Sequence, residues 1–511
     1  MIITSNIQMS ICMRKISTFF ITMAFCCAFA SCYKDMGNYN YHPVNEINFT
    51  NIDTAHGYTL LLGETLSISP QLKGTQDPVG AGKQYSYEWS LDFSLKDSVL
   101  STEKNLQVKL VVPPGKYTLQ FKVTDKETGI RAHIRTQLLV TTRVFEGYMV
   151  MNEVNGKTRL DMLSYHRTAD EFEQLTDVLS QLSSGAPIQG KPRQVFCMET
   201  ESFYITPQTY RIYLVTDNGT FKIDPETFGY NELNDFRYEM VGALPGDFAP
   251  TSLTGSLQYL FMPTTFMTEG NNIYRRTYES IVFPYVPVNI YAGEPKPFKA
   301  FPQVTCYDDG FVVYNMDKRI FTTGSFSSVN VTDMPPGNGF PEGKDMVYME
   351  DQQSTGFGYA VMKDPGLANY YLLRFYPGYS FADYFEPMTA TDIDKALHFA
   401  SSPELGYFFY SVGGKLYEYD PFLQQSFLML DKGSEEITYI AFQKFFNPNF
   451  YDKYTEFGNL LTVGTLNPAG GEGSNGTLEQ YVVPPVNKPL QKKNSWTGFG
   501  RITSVSYRER N

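Results

Sequence analysis

Short hairpins recurring through residues 144–511 constrain the fold of this chain more than any other feature. Asn155-Gly156 separates Met149-Val150-Met151 from Arg159-Leu160-Asp161-Met162-Leu163. Asn-Gly between apolar runs favours the tight turn whose twist matches that of paired strands. The unit returns along the chain. Residues 211–215 turn at Asp217-Asn218-Gly219 into 220–223, and Cys306-Tyr307 turns at Asp308-Asp309-Gly310 into 311–314. Residues 358–362 turn through Asp364-Pro365-Gly366 into 370–373, and 407–410 turn at Gly413-Gly414 into 416–419. Residues 460–463 pass through a Gly-rich loop into 478–483.

Such hairpins return at intervals of about 50 residues, unevenly and with no strict consensus, which suggests the blades of a β-propeller. At ~50 residues per blade, 144–511 holds roughly seven. Six or eight blades, or a pair of β-sandwiches, stay open because 240–300 has no clear pattern. The alternation in 502–507 predicts a last strand that closes the ring against its start. Phe172, Leu175, Val178, Leu179 and Leu182 fall on one helical face and predict a helix outside the first blade.

Residues 44–143 read as a separate domain. Tyr85, Tyr87 and Trp89 share one strand face, and Leu106, Val108 and Leu110 alternate with polar residues. Pro113-Pro114-Gly115 turns the chain into Tyr117, Leu119, Phe121 and Val123, again at period two. About seven short strands around one Trp argue for an immunoglobulin-like sandwich with Trp89 in its core. With 37 Tyr, 39 Phe, 40 Gly and 30 Pro and few helical stretches, the fold class is all-β.

The N-terminus has the order of a secretory leader: Met13-Arg14-Lys15, an apolar run to Phe29, then Ala30-Ser31-Cys32. That run is too short to span a bilayer. The ending resembles the lipobox of bacterial lipoproteins, with Phe29 where Leu is usual. The resemblance implies removal of residues 1–31 and acylation of Cys32, leaving 32–43 as a tether. Acyl chains at about 0.8 kcal/mol per CH2 would hold the chain to a membrane without a spanning helix. Lys34-Asp35 is similar to the signal that sends Bacteroidota lipoproteins to the outer face of the outer membrane. Asp53-Thr54-Ala55 and Asp97-Ser98-Val99 resemble Bacteroidota O-glycosylation acceptors.

Tyr87-Glu88-Trp89 and the later run from Gly115-Lys116-Tyr117 to Val123-Thr124-Asp125 resemble the PKD domain pattern. The lead-in Gly37-Asn38-Tyr39-Asn40-Tyr41 is similar to that of PKD-like lipoproteins of Bacteroidota. The resemblance implies a spacer or binding module at 44–143. It further implies an accessory role beside Sus-type uptake systems, in which a TonB-dependent channel is paired with a ligand-capturing lipoprotein. Capture of an oligosaccharide or peptide, or docking on the channel, is the function expected. An adhesion or scaffold protein without a small ligand, and a propeller hydrolase or lyase, are the alternatives.

The residues themselves offer little chemistry. The formal charge of −12 becomes more negative by two when Arg14 and Lys15 leave, and no basic patch suggests nucleic acid. The five histidines are scattered, no zinc-type spacing exists, and no cofactor, metal or catalytic residue is expected. Gly471-Glu472-Gly473-Ser474-Asn475-Gly476 fits G-x-G-x-x-G but leads into a strand, so it reads as a hairpin loop. Beyond the leader and Cys32, Cys197 and Cys306 remain, as one disulfide or two buried thiols. In the densest aromatic tract, 370–385, Tyr376 and Tyr379 flank Pro377-Gly378 and are the candidate ligand-binding residues.

Overall fold

The computed structural model describes residues 45–510 except 77–83, 94–95, 203–204, 257–263, 278–281, 308–309, 336, 353 and 447. The side chains of 93, 96–97, 199–202, 205–209, 307 and 379 are likewise outside the description. The leader, Cys32 and Lys34-Asp35 therefore lie outside the described residues. No described helix is long and apolar enough to cross a membrane. The chain divides into two compact units, one running to residue 139 without 112–114, the other holding 112–114 and 140–511.

In the first unit a five-stranded sheet has the order Tyr58–Leu61, Arg131–Thr141, Gly115–Asp125, Tyr85–Phe93, Lys96–Ser101. Two short antiparallel pairs accompany it: Ile47–Thr50 with Gln71–Gly74, and Thr65–Ile68 with Leu106–Lys109. Trp89 is fully buried, as its alternation predicts, and stacks on Phe121 at 4.3 Å. Its indole N–H donates to the Lys104 carbonyl, so the ring is buried without an orphaned polar group. Thr54 and Ser98 are both exposed.

In the second unit the described strands form seven antiparallel sheets of three or four strands. Sheet 1 holds Gly147–Val154, Lys157–His166 and Glu171–Leu175, joined by the last strand of the chain, Arg501–Arg508. Sheet 2 is Pro192–Ser202, Ile205–Thr216 and Gly219–Ile223; sheet 3 is Ser252–Gly255, Thr265–Glu269 and Asn272–Arg276. Sheet 4 is Thr305–Tyr307, Gly310–Asn315, Ile320–Ser325 and Thr332–Asp333. Sheet 5 is Asp345–Gln352, Phe357–Lys363, Tyr370–Tyr376 and Phe381–Pro387. Sheet 6 is His398–Ser401, Phe408–Val412, Lys415–Asp420 and Gln425–Asp431. Sheet 7 is Glu436–Phe442, Leu460–Leu466, Gly476–Val482 and Gln491–Phe499.

Alternation along each strand gives every sheet two apolar faces, and each face is buried against a neighbour. Met149 and Met162 of sheet 1 pack with Ile212 and Leu214 of sheet 2, whose other face puts Tyr213 and Val215 against Met267 and Tyr274 of sheet 3. The series continues through Phe266 with Phe311, Val312 with Met362, Val361 with Phe408, and Phe409 with Val463. It returns to its start where Leu478 and Phe499 of sheet 7 pack with Tyr148, Val150 and Tyr507 of sheet 1.

Each hairpin read from the sequence is a paired antiparallel unit, and the Asn155-Gly156 turn has both residues at positive φ. Residues 502–507 pair with the first strand as expected, Tyr507 opposite Tyr148. The 471–476 stretch is the loop of the hairpin in sheet 7. The unpatterned region 240–300 contains sheet 3, whose strands are short. The 3-10 turns Glu232–Asn234 and Phe236–Glu239 precede it, and the small parallel pair Met240–Val241 with Phe283–Pro284 accompanies it.

One expectation fails. Residues 172–182 are not one helix: Glu171–Leu175 is the outer strand of sheet 1, and only Val178–Gln181 is helical. Asp177, at φ 49, breaks the run, and its N–H is held by the Asp161 carboxylate. The open edge of Lys157–His166 offers backbone partners to 171–175, and that pairing outweighs the helical spacing. Leu175, Val178 and Leu179 still share one core, whereas Leu182 is exposed.

Candidate functional site

The first strand of sheets 2 to 7, and Arg501–Arg508 in sheet 1, is an edge strand. Its outward N–H and C=O groups need partners. Side chains of the neighbouring sheet supply several of them. Ser504 and Ser506 accept from the N–H groups of Val195 and Cys197, and Gln194 holds both backbone groups of Leu253. Gln303 accepts from Met349 N, and the Tyr439 hydroxyl donates to the Val505 carbonyl. Between sheets 5 and 6 the partner is a carboxylate: Ser401 N–H donates to Glu350 Oε1 at 2.6 Å, and Gln352 Nε2 donates to Ser401 O at 3.3 Å.

At this end of sheets 5, 6 and 7 lies a cavity of about 380 Å³. Glu350 and Gln352 come from the first strand of sheet 5, and Ser401 ends the first strand of sheet 6. The connection from 442 to 459, with the helix Asp452–Gly458, supplies Gln443, Lys444, Phe445, Asn449, Tyr454, Thr455 and Asn459. Amide and carboxyl groups and aromatic rings thus line the same space. Tyr454 is a fixed wall. Its ring stacks on Phe445 at 4.8 Å, and its hydroxyl donates to Glu146 Oε1 at 2.8 Å, while Arg510 N donates to it. Glu146 is buried and also takes Arg167 Nε and the Tyr507 hydroxyl.

Charge concentrates on one side of the cavity. Lys444 Nζ lies 3.2 Å from Asp351 Oδ1 and 3.9 Å from Glu350 Oε2. Burial pushes the Glu350 carboxyl above its usual range, against the pull of Lys444 and the Ser401 hydrogen bonds. Burial pulls the Lys444 ammonium down, but Asp351 and Glu350 outweigh it and hold it above its usual value. Burial, with the Asp351 charge adding, raises the Cys306 thiol far out of reactive range. The Glu350 carboxyl and the Lys444 ammonium, which line the cavity, can fix a polar ligand and exchange a proton with it. Among the described residues no group of three His, Cys, Asp or Glu side chains is placed to hold a metal ion.

The residues anticipated from sequence lie elsewhere. Tyr376 ends the third strand of sheet 5, half-buried, with its ring edge-on to Phe357 at 4.5 Å. Tyr379 closes the 3-10 turn Pro377–Tyr379, and its side chain is outside the described residues. Cys197 and Cys306 are both free thiols. Sequence reasoning missed Glu350, Asp351 and Lys444. The run Met349-Glu350-Asp351-Gln352 at the end of a strand held the signal, since adjacent acids are poor strand formers. Lys444 gave none, being 93 residues from Asp351 in the chain.

Compared with known proteins, residues 32–192 match the model of the PKD-like family. Curated proteins give no match. Among solved structures, the chain is similar to a quinonprotein alcohol dehydrogenase-like protein from Bacteroides thetaiotaomicron. The likeness covers 89% of this chain and 96% of that one, at 14% identity and a TM-score of 0.42. It is also similar to a putative 6-phosphogluconolactonase from Bacteroides fragilis, over 71% of this chain and 98% of that one, at 12% identity and a TM-score of 0.42.

Proposed function

We propose that this protein is a lipid-anchored, surface-exposed capture protein whose seven-bladed β-propeller binds an oligosaccharide or peptide at the end of its axis. Cys32 is the anchor to the outer membrane, Lys34-Asp35 directs the chain to the cell surface, and the PKD-like domain is the spacer. Seven sheets joined by a continuous series of shared cores support the propeller, as does a last strand that completes the first sheet. In this reading the chain works beside a TonB-dependent channel and its ligand-binding lipoprotein in a Sus-type nutrient uptake system.

The observation that carries the capture role is the lining of the 380 Å³ cavity. Ligand pockets of about 300–1,000 Å³ combine apolar walls with a few convergent polar groups. Here Phe442, Phe445 and Tyr454 line the same cavity as Gln352, Gln443, Asn449, Asn459 and Glu350. Carboxamides and carboxylates take paired hydroxyls or peptide groups two at a time, and a ring face covers the apolar side of a sugar. Glycan and peptide arrays probed with the purified full chain test this. Retention of one ligand class is expected, and no binding to either array would overturn the role.

A second reading has one observation in its favour: Glu350, its carboxyl raised above the usual range by burial and set beside Lys444, is placed as a general acid for a hydrolase or lyase. Turnover of a polysaccharide panel, lost in Glu350→Gln, would establish catalysis in place of capture.

A further inference from the structure

A second group of acids, away from the cavity, is buried without a basic partner among the described residues. Glu418 and Asp420 stand two residues apart on the third strand of sheet 6, and so share a face. Glu418 is fully buried and Asp420 is 7% exposed. Among the described residues no Lys or Arg forms an ion pair with either. Their common partner is neutral: Asn487 Nδ2, from the connection between Gly476–Val482 and Gln491–Phe499, donates to Glu418 Oε1 at 3.0 Å and to Asp420 Oδ2 at 3.1 Å. Asp420 Oδ1 is used locally, accepting from the N–H groups of Phe422 and Leu423. Glu418 Oε2 is buried with no hydrogen-bond partner among the described residues.

A buried carboxylate oxygen without a partner is costly, and a second carboxylate beside it raises the cost. Burial pushes the Glu418 carboxyl up to about 7 despite the Asn487 hydrogen bond, and the Asp420 charge adds to the rise. The loop that brings Asn487 here is itself unusual. Val486 and Asn487 both sit at positive φ, and Val486 N–H is pinned by the Tyr407 hydroxyl. A β-branched residue in that conformation persists only where its surroundings impose it.

We propose that Glu418, Asp420 and Asn487 bind a hard divalent cation, calcium by preference, which ties the 484–488 loop of sheet 7 to sheet 6. The carboxamide of Asn487 already meets both acids, and a half-turn about its terminal torsion presents oxygen in place of nitrogen. Both Glu418 oxygens, Asp420 Oδ2 and Asn487 Oδ1 then make an all-oxygen set, with water completing the coordination. Calcium accepts such an irregular, partly hydrated shell, whereas magnesium demands a near-ideal octahedron.

Calorimetric titration of the chelator-treated full chain with calcium chloride, with magnesium chloride as control, tests the site. We expect one calcium bound with a dissociation constant of about 0.1–1 mM, as in extracellular modules. The melting temperature should rise by a few degrees at 10-fold saturation (roughly), and both effects should be lost in Asp420→Asn. Asn487→Asp supplies a third carboxylate and removes the side-chain donor that Glu418 and Asp420 share. It should bind calcium at least about tenfold more tightly, and regain with calcium whatever stability it loses without it. No binding by the unaltered chain, binding unchanged in Asp420→Asn, or a destabilised Asn487→Asp that calcium does not restore would each overturn the proposal.

Discussion

Two places where the sheets meet use the same buried charges to opposite ends. At the joint of sheets 7 and 1, Asp161 is fully buried and takes bonds from Arg159, Asn152 Nδ2 and Asp177 N. Arg159 reaches on to the carbonyls of Gly473 and Gly498, and Asn152 Oδ1 accepts from Gly500 N. Each of these contacts is directed at backbone or side chains that close the joint. At sheets 5 to 7 the trio Glu350, Asp351 and Lys444 is also close-set, but Glu350 and Lys444 line an open cavity. Burial of charge alone therefore does not mark a site. A charge cluster that faces space, as the second does, is the one available to a ligand.

The joint should be the harder of the two to perturb without loss of the fold. Gly500 is the single residue between the last strand of sheet 7 and the last strand of sheet 1. A Cβ there would stand 2.5 Å from the Glu153 carbonyl, which belongs to a paired strand and cannot move aside. Gly500→Ala should therefore cost more than about 3 kcal/mol and leave little folded protein, read by circular dichroism and thermal melting. Asp161→Ala strands Arg159 in a buried setting, and should cost about 3–5 kcal/mol in urea unfolding.

On the cavity side the effects are smaller and fall on binding. Lys444→Met removes the cation between two acids. With Lys444 about a third exposed, the loss in urea unfolding should be about 1–2 kcal/mol. Glu350 sharpens the contrast through pH. Its carboxyl is raised in the folded chain, so the folded state holds a proton that the unfolded state has released. Its contribution to stability is full below the ordinary glutamate value, and falls as pH rises from there through the folded value. Glu350→Gln should flatten that part of the stability–pH curve; an unchanged slope would show that the Glu350 carboxyl is not raised in the folded chain.

Legibility in the sequence follows the range of the interactions. Hairpins were legible because a turn such as Asn155-Gly156 is a local decision, and Trp89 because alternation alone buries it. The last strand was legible because its apolar pattern needs a buried face wherever it pairs. Residues 171–175 were misread because an open strand edge is a tertiary fact. The candidate site was hidden for the same reason: sheets far apart in sequence bring Glu350, Ser401 and Lys444 together. The aromatic tract at 370–385 drew attention by density, yet Tyr376 is half-buried on Phe357.

The central claim is that the cavity between Glu350, Ser401 and Tyr454 is where a ligand is held. Thr455 lines it from an exposed position on the helix Asp452–Gly458, so Thr455→Trp fills the space without touching the buried core. The direct measurement is titration of the full chain and of Thr455→Trp with the glycan or peptide retained on the arrays. Thr455→Trp should lose at least tenfold (about 1.4 kcal/mol) in affinity with an unchanged melting temperature. Equal affinity in the two proteins would contradict it.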